Sequence, residues 1–174
     1  MMLNRKRFWT IGLAFMTALS VMGFTLGNFI AVHAETSSYQ DPAGRFEVAI
    51  LPSYKMTPVA GMFVVESAEG DVAYTVSVRP KASDRYLEDN ELAQVALDTL
   101  AAGEGFVPGV FAGNDIGVEI PWRGTQGKTP VSGTAFARQT NNSVLVLSIS
   151  TTAENTDNIA QILPDLSQSL KPIE

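Results

Sequence analysis

Apolar and polar positions alternate from Phe46 onward. Phe46, Val48 and Ile50 fall on one side and Glu47, Ala49 and Leu51 on the other, the period of a strand. Pro52 ends it, because proline has no N–H for a ladder. The stretch 62–79 predicts a hairpin, Met62 to Glu66 against Val72 to Arg79, turning near Glu69-Gly70. In its second arm Val72, Tyr74, Val76 and Val78 face the core, and Thr75, Ser77 and Arg79 face away. The period then changes. Leu92, Val95, Ala96 and Leu100 follow helical spacing, so a helix is expected from Asp89 or Asn90 to Ala102. An Asx cap would start it, Glu91 suits its positive end, and Gly103 stops it.

Three further strands follow. Ile116, Val118, Ile120 and Trp122 alternate, as do Val131, Gly133, Ala135 and Ala137, with Phe136 on the opposite side. "SVLVLSIST" is apolar or β-branched throughout, so Val144 to Ile149 is expected as a central strand covered on both faces. "RGTQGK" and "TNN" between these strands read as hairpin turns. A last helix is expected over 154–170, with Thr151 and Glu154 as a capping box and Pro164 kinking or splitting it. Its stripe is Ile159, Ile162, Leu163, Leu166 and Leu170.

Short connections make the sheet mostly antiparallel. The fold class is α+β: a central sheet of about six or seven strands with the two helices on its opposite faces. About 140 residues can bury one such core without staples. The expected domain covers residues 45–174, preceded by a polar, turn-rich linker over 35–44.

The start of the chain is different. Arg5, Lys6 and Arg7 precede an apolar run from Phe8 to Val32, and Val32 and Ala34 stand at −3 and −1 before Glu35. Residues 1–34 read as a cleaved signal peptide or as an uncleaved membrane anchor. Both place the domain on the exported side of a membrane. "NRKRFW" faintly resembles a twin-arginine signal. There is no cysteine for a lipoprotein anchor.

Charge narrows the partners. The chain has 12 basic and 18 acidic residues, and losing the leader's three bases leaves a formal net charge of −9. Such a domain repels nucleic-acid phosphates and favours basic protein faces, cations or neutral molecules. Missing residue types narrow the chemistry. Without cysteine there is no thiol nucleophile, thiolate metal site or disulfide. The single histidine, His33, lies in the leader, so the domain has no imidazole base and no histidine-ligated zinc. Carboxylate chemistry and oxygen-ligand cation binding remain.

Residues 39 to 55, "YQDPAGRFEVAILPSYK", carry a family resemblance. An aromatic, an acidic turn, a glycine, an aromatic strand, then proline and an aromatic are here Tyr39, Asp41, Gly44, Phe46, Pro52 and Tyr54. "LSQSLKPI" resembles the family's final helix. The order and these motifs resemble the PsbP-like family, which includes photosystem II extrinsic subunits and nuclear-transport proteins of the Mog type. The resemblance spans most of residues 39–173 and implies an α/β/α sandwich. Two positions depart from it: Tyr54 stands where tryptophan is usual and Leu170 where an aromatic is usual. Histidine-containing metal sites of the family have no counterpart here.

Four candidate sites emerge. Asp84, Glu88, Asp89 and Glu91 cluster in "DRYLEDNE" and could hold a hard cation such as calcium or manganese; the spacing is not that of an EF-hand, and helix capping with a solvated acidic face, which the macrodipole favours, is the simpler account. Tyr54, Lys55 and Met56 are candidates for a protein-docking surface. Trp122 could be a docking aromatic, although its alternation points into the core. The glycine-rich "GEGFVPGVFAG" reads as a loop or irregular strand. Glu119 has no evident carboxylate partner for glycosidase chemistry. The resemblance implies a non-enzymatic exported accessory protein that binds a protein complex, with photosystem II a candidate. The alternative is a small periplasmic module for a divalent cation or an apolar ligand.

Overall fold

The computed structural model describes residues 37–59, 62–101, 105–152 and 156–173. The signal peptide or anchor expected over 1–34, the stop at Gly103 and the Glu154 half of the capping box lie outside them. Among the described residues no helix is long and apolar enough to cross a membrane.

The stretch expected as a linker contains strand β1 (Ser37–Gln40), which pairs antiparallel with β2 (Phe46–Ile50), Tyr39 opposite Val48. The turn between them is held from inside. Gly44 N–H donates to the Asp41 carbonyl at 2.8 Å with Gly44 at φ 69°, and the Arg45 guanidinium grips the Asp41 carboxylate at 2.6 and 2.8 Å. That grip holds the Asp41 carboxyl below the usual carboxylate range.

β3 (Lys55–Val59), β4 (Met62–Glu66) and β5 (Val72–Pro80) come next. Helix α1 (Asp89–Leu100) follows, then the short β6 (Val107–Pro108) and β7 (Ala112–Asn114). β8 (Gly117–Gln126), β9 (Thr129–Gln139) and β10 (Ser143–Thr152) form a meander, α2 (Thr156–Ser169) packs back, and β11 (Lys171–Pro172) closes the chain. α1 is capped at Glu88 rather than at an Asx residue: Glu91 accepts from the Glu88 N–H at 3.1 Å. Pro164 lies inside a helix that runs on past it, so it does not split the element.

Among the described residues the large sheet has eight strands, in the order β3-β4-β5-β10-β9-β8-β6, with β7 also on β8. The expected count was lower because β3, β6 and β7 are short edge segments containing proline or glycine. The first expected strand is not in this sheet. β2 sits between β1 and β11 in a separate three-stranded sheet.

β10 is central, between β5 and β9. Its alternation feeds two cores. Val144 and Val146 pack with Val118, Ile120, Ala135 and Ala137 under Leu92, Ala93 and Ala96 of α1. Leu145, Leu147 and Ile149 pack with Val76, Tyr74 and Phe136 under Ile159, Leu163 and Leu166 of α2 and Leu170 just after it. The helices therefore lie on opposite faces, as strand periodicity requires. The α2 face has a second cover: Phe46 and Val48 of the small sheet join its core. Tyr74 ties the two sheets together, its hydroxyl donating to the Ala49 carbonyl at 2.8 Å and accepting from the Leu51 N–H at 3.1 Å. Ser169, the last residue of α2, ties the helix to the small sheet by accepting from the Ala49 N–H at 3.1 Å.

Candidate functional site

β8 has two unlike sides. Val118 and Ile120 are buried towards α1, with Trp122 half-buried in the same row. Glu119, Pro121 and Arg123 alternate with them and face the α2 side. α2 packs on β2, β9 and β10, so this outer side of β8 stays uncovered. The result is a groove of about 970 Å³. One wall is Ile159, Leu163 and Pro164 of α2, the floor is Pro121, Thr134 and Ser132, and the far rim is Val110 and Ile116.

The rim explains itself from the sequence of 106–116. Gly109 approaches Pro121 closely, its N–H donating to the Pro121 carbonyl at 2.7 Å, and a Cβ at 109 would meet the proline ring at 2.9 Å. The chain hugs β8 at this glycine and leaves the large side chains around it outside the core. Val110 is 88 % exposed, Val107 61 % and Phe111 40 %. Three such side chains on one short segment mark a contact surface more than scattered exposed residues do. The next turn belongs to Asn114, whose Oδ1 accepts from the N–H groups of Ile116 and Gly117, both at 3.0 Å. Ile116, expected on the inner face of the strand, is thereby placed in the turn and 36 % exposed.

Trp122 lies over Gly133, where a Cβ would meet its ring at 2.6 Å, and beside Phe106 at 6.1 Å between ring centroids. It packs on the α1 core, as its alternation implied, while also lining the groove. Its Nε1 and the Ser132 hydroxyl are buried without hydrogen-bond partners among the described residues.

The four candidate metal acids do not converge. Among the described residues no group of three or more potential ligands gathers. Glu91 is instead gripped by both terminal nitrogens of Arg85, which holds its carboxyl down at about 2. Glu88 is the cap of α1, and Asp89 stands in its first turn against Gly113. Asp84 is exposed in the preceding loop. Local helix capping, which needs acids at this spacing, accounts for the run. The docking candidates separate too. Tyr54 is half-buried and packs against Tyr74 at 5.9 Å between ring centroids, and burial raises its hydroxyl pKa. Lys55 and Met56 are exposed on β3, the sheet's outer edge.

Sequence reasoning missed the groove itself. Its signal was present: three large apolar residues in a segment whose glycines and proline forbid a regular strand. The contribution of α2 was not, because which side of a strand a distant helix leaves bare has no local pattern.

No family model and no curated protein matches the chain. Solved structures do. Cyanobacterial PsbP (CyanoP) from Synechocystis sp. PCC 6803 is 16 % identical with a TM-score of 0.57, over 84 % of this chain and 98 % of that one. The Ran-binding protein Mog1p of Saccharomyces cerevisiae is 10 % identical with a TM-score of 0.58, over 81 % and 97 %. LpqN, involved in cell envelope biogenesis of Mycobacterium tuberculosis, is 10 % identical with a TM-score of 0.50, over 83 % and 94 %. At these identities the likeness is one of fold: the chain has the PsbP/Mog1 fold, in a divergent sequence.

Proposed function

We propose that this chain is an exported, non-catalytic accessory protein that docks a protein partner through the groove beside α2. The observation that carries the reading is the exposed apolar rim of Val110 and Ile116 across the groove from the apolar α2 wall, with exposed Val107 and Phe111 on the same short segment as Val110. Burying such side chains against a partner is the main favourable term in association. A sequence whose domain has neither histidine nor cysteine supports the non-catalytic part. The fold shared with a Ran-binding protein and with PsbP supports binding as the role. The basic, apolar start of the chain supports export to a periplasm or thylakoid lumen. A photosynthetic membrane complex such as photosystem II is the partner that the PsbP-like resemblance suggests.

The test is affinity capture of the tagged full chain from its source membranes in mild detergent, beside a Val110→Glu variant. Wild type retains a defined partner and the variant loses it; equal retention by both, or none by either, contradicts the reading.

The groove's volume also suits a small apolar ligand. That second reading expects a co-purified lipid or terpenoid in mass spectra of the native protein. The splayed rim favours a protein, because small-molecule sites enclose most of their ligand.

A further inference from the structure

A second, smaller cavity of about 200 Å³ adjoins the groove. The turn at Asn114, Asp115 and Ile116 is common to both. The small cavity is polar. Asp89 from the first turn of α1, Asp115 from the shared turn, the amides of Asn114 and Gln139 and the ring of Tyr86 line it. Neither Asp89 nor Asp115 has an ion-pair partner among the described residues. Gly113 makes the room for Asp89: a Cβ there would collide with its Oδ2. Arg138 shares the lining, but its Nη1 donates to the carbonyl of Leu170 at 2.8 Å. Tyr86 is 76 % exposed, so its ring is free to lie against an incoming group.

We infer that this double site takes a segment of a protein partner that carries an arginine or lysine next to apolar residues. The cation enters the small cavity between Asp89 and Asp115, with the Tyr86 ring along its flank. The neighbouring apolar side chains lie on Ile116 and Val110 and against the α2 wall. Two cavities that share one turn are within reach of adjacent residues of an extended segment, at about 3.3 Å per residue. The chain's excess of acid, 18 against 12 bases, steers such a segment inward. The inference rests on the docking reading above and adds the partner's chemistry.

The experiment is fluorescence anisotropy with the full chain in mild detergent and three rhodamine-labelled hexapeptides. Each alternates leucine with arginine, glutamine or glutamate. The arginine peptide binds; the glutamine peptide binds about tenfold more weakly and the glutamate peptide weaker still. The Asp89→Asn, Asp115→Asn double variant loses the arginine preference. Asp115→Arg, on an exposed turn, weakens the arginine peptide while its thermal unfolding stays that of wild type, which separates binding from folding. Equal binding of the arginine and glutamine peptides, wild-type binding by the double variant, or no binding of any peptide overturns the inference. So does a wild-type dimer in sedimentation that Asp115→Arg dissociates, which gives the site to a second copy. A partner captured by wild type and by the double variant, but lost by Val110→Glu, removes the cation and leaves the docking reading standing.

Discussion

Tyr74 has its ring in the core of one sheet and its hydroxyl on the backbone of another. Tyr74→Phe leaves the Leu51 N–H and the Ala49 carbonyl unpaired, at a cost of about 1–3 kcal/mol in urea unfolding. Burial pushes its pKa up to about 12. The folded state then holds the proton more tightly than the unfolded chain, so this contribution is complete below roughly pH 10 and is lost as pH rises towards 12. Wild type should lose more stability over that window than Tyr74→Phe does. Asp41 works at the other end of the scale. The Arg45 fork, the largest cause, lowers its pKa, so its contribution is present above the unfolded value of about 4 and fades as pH falls through the lower folded one. Unfolding of wild type and Asp41→Asn at neutral and acid pH checks this: the gap between them narrows in acid. The turn at 41–44 was legible because Asp-Pro-x-Gly specifies it. The Arg45 grip was not, since the same spacing often leaves an arginine in solvent.

At the scale of elements, β10 makes the sharpest case. Leu147 serves the α2 core and is fully buried, so Leu147→Ala should cost about 2–5 kcal/mol in chemical denaturation. Gly133 on the neighbouring strand has the Ile149 carbonyl and the Trp122 ring where a Cβ would go, the ring at 2.6 Å. Gly133→Ala should therefore cost about 1–3 kcal/mol through forced displacement, although it adds a single methyl group. Strands and helices with several apolar residues at one period were readable because burial enforces that period. β1, β6, β7 and β11 were not. Each spans two to four residues, too few for a period to show, and β11 pairs with a strand at the far end of the domain.

For the whole molecule, the opposite placement of the helices followed from one strand that is apolar in both directions. The small sheet did not follow, because it joins Phe46 and Glu47 to Pro172 and Lys171 across most of the chain. Its presence explains why one helix suffices on the α2 face: the sheet covers the β4–β5 side, so α2 can sit over β10 and β9 and leave β8 bare. The groove is thus a product of coverage, and that makes it a surface available to another protein. The exposed Lys55 and Met56 on the β3 edge are the rival surface, across the large sheet from β6. The direct test places a photoactivatable benzoyl-phenylalanine at position 110, 116 or 56 of the full chain in the source cells. Crosslinks from 110 and 116 to one common protein, with none from 56, are the predicted result. Crosslinks from 56 alone, or from none of the three, would contradict docking at the groove.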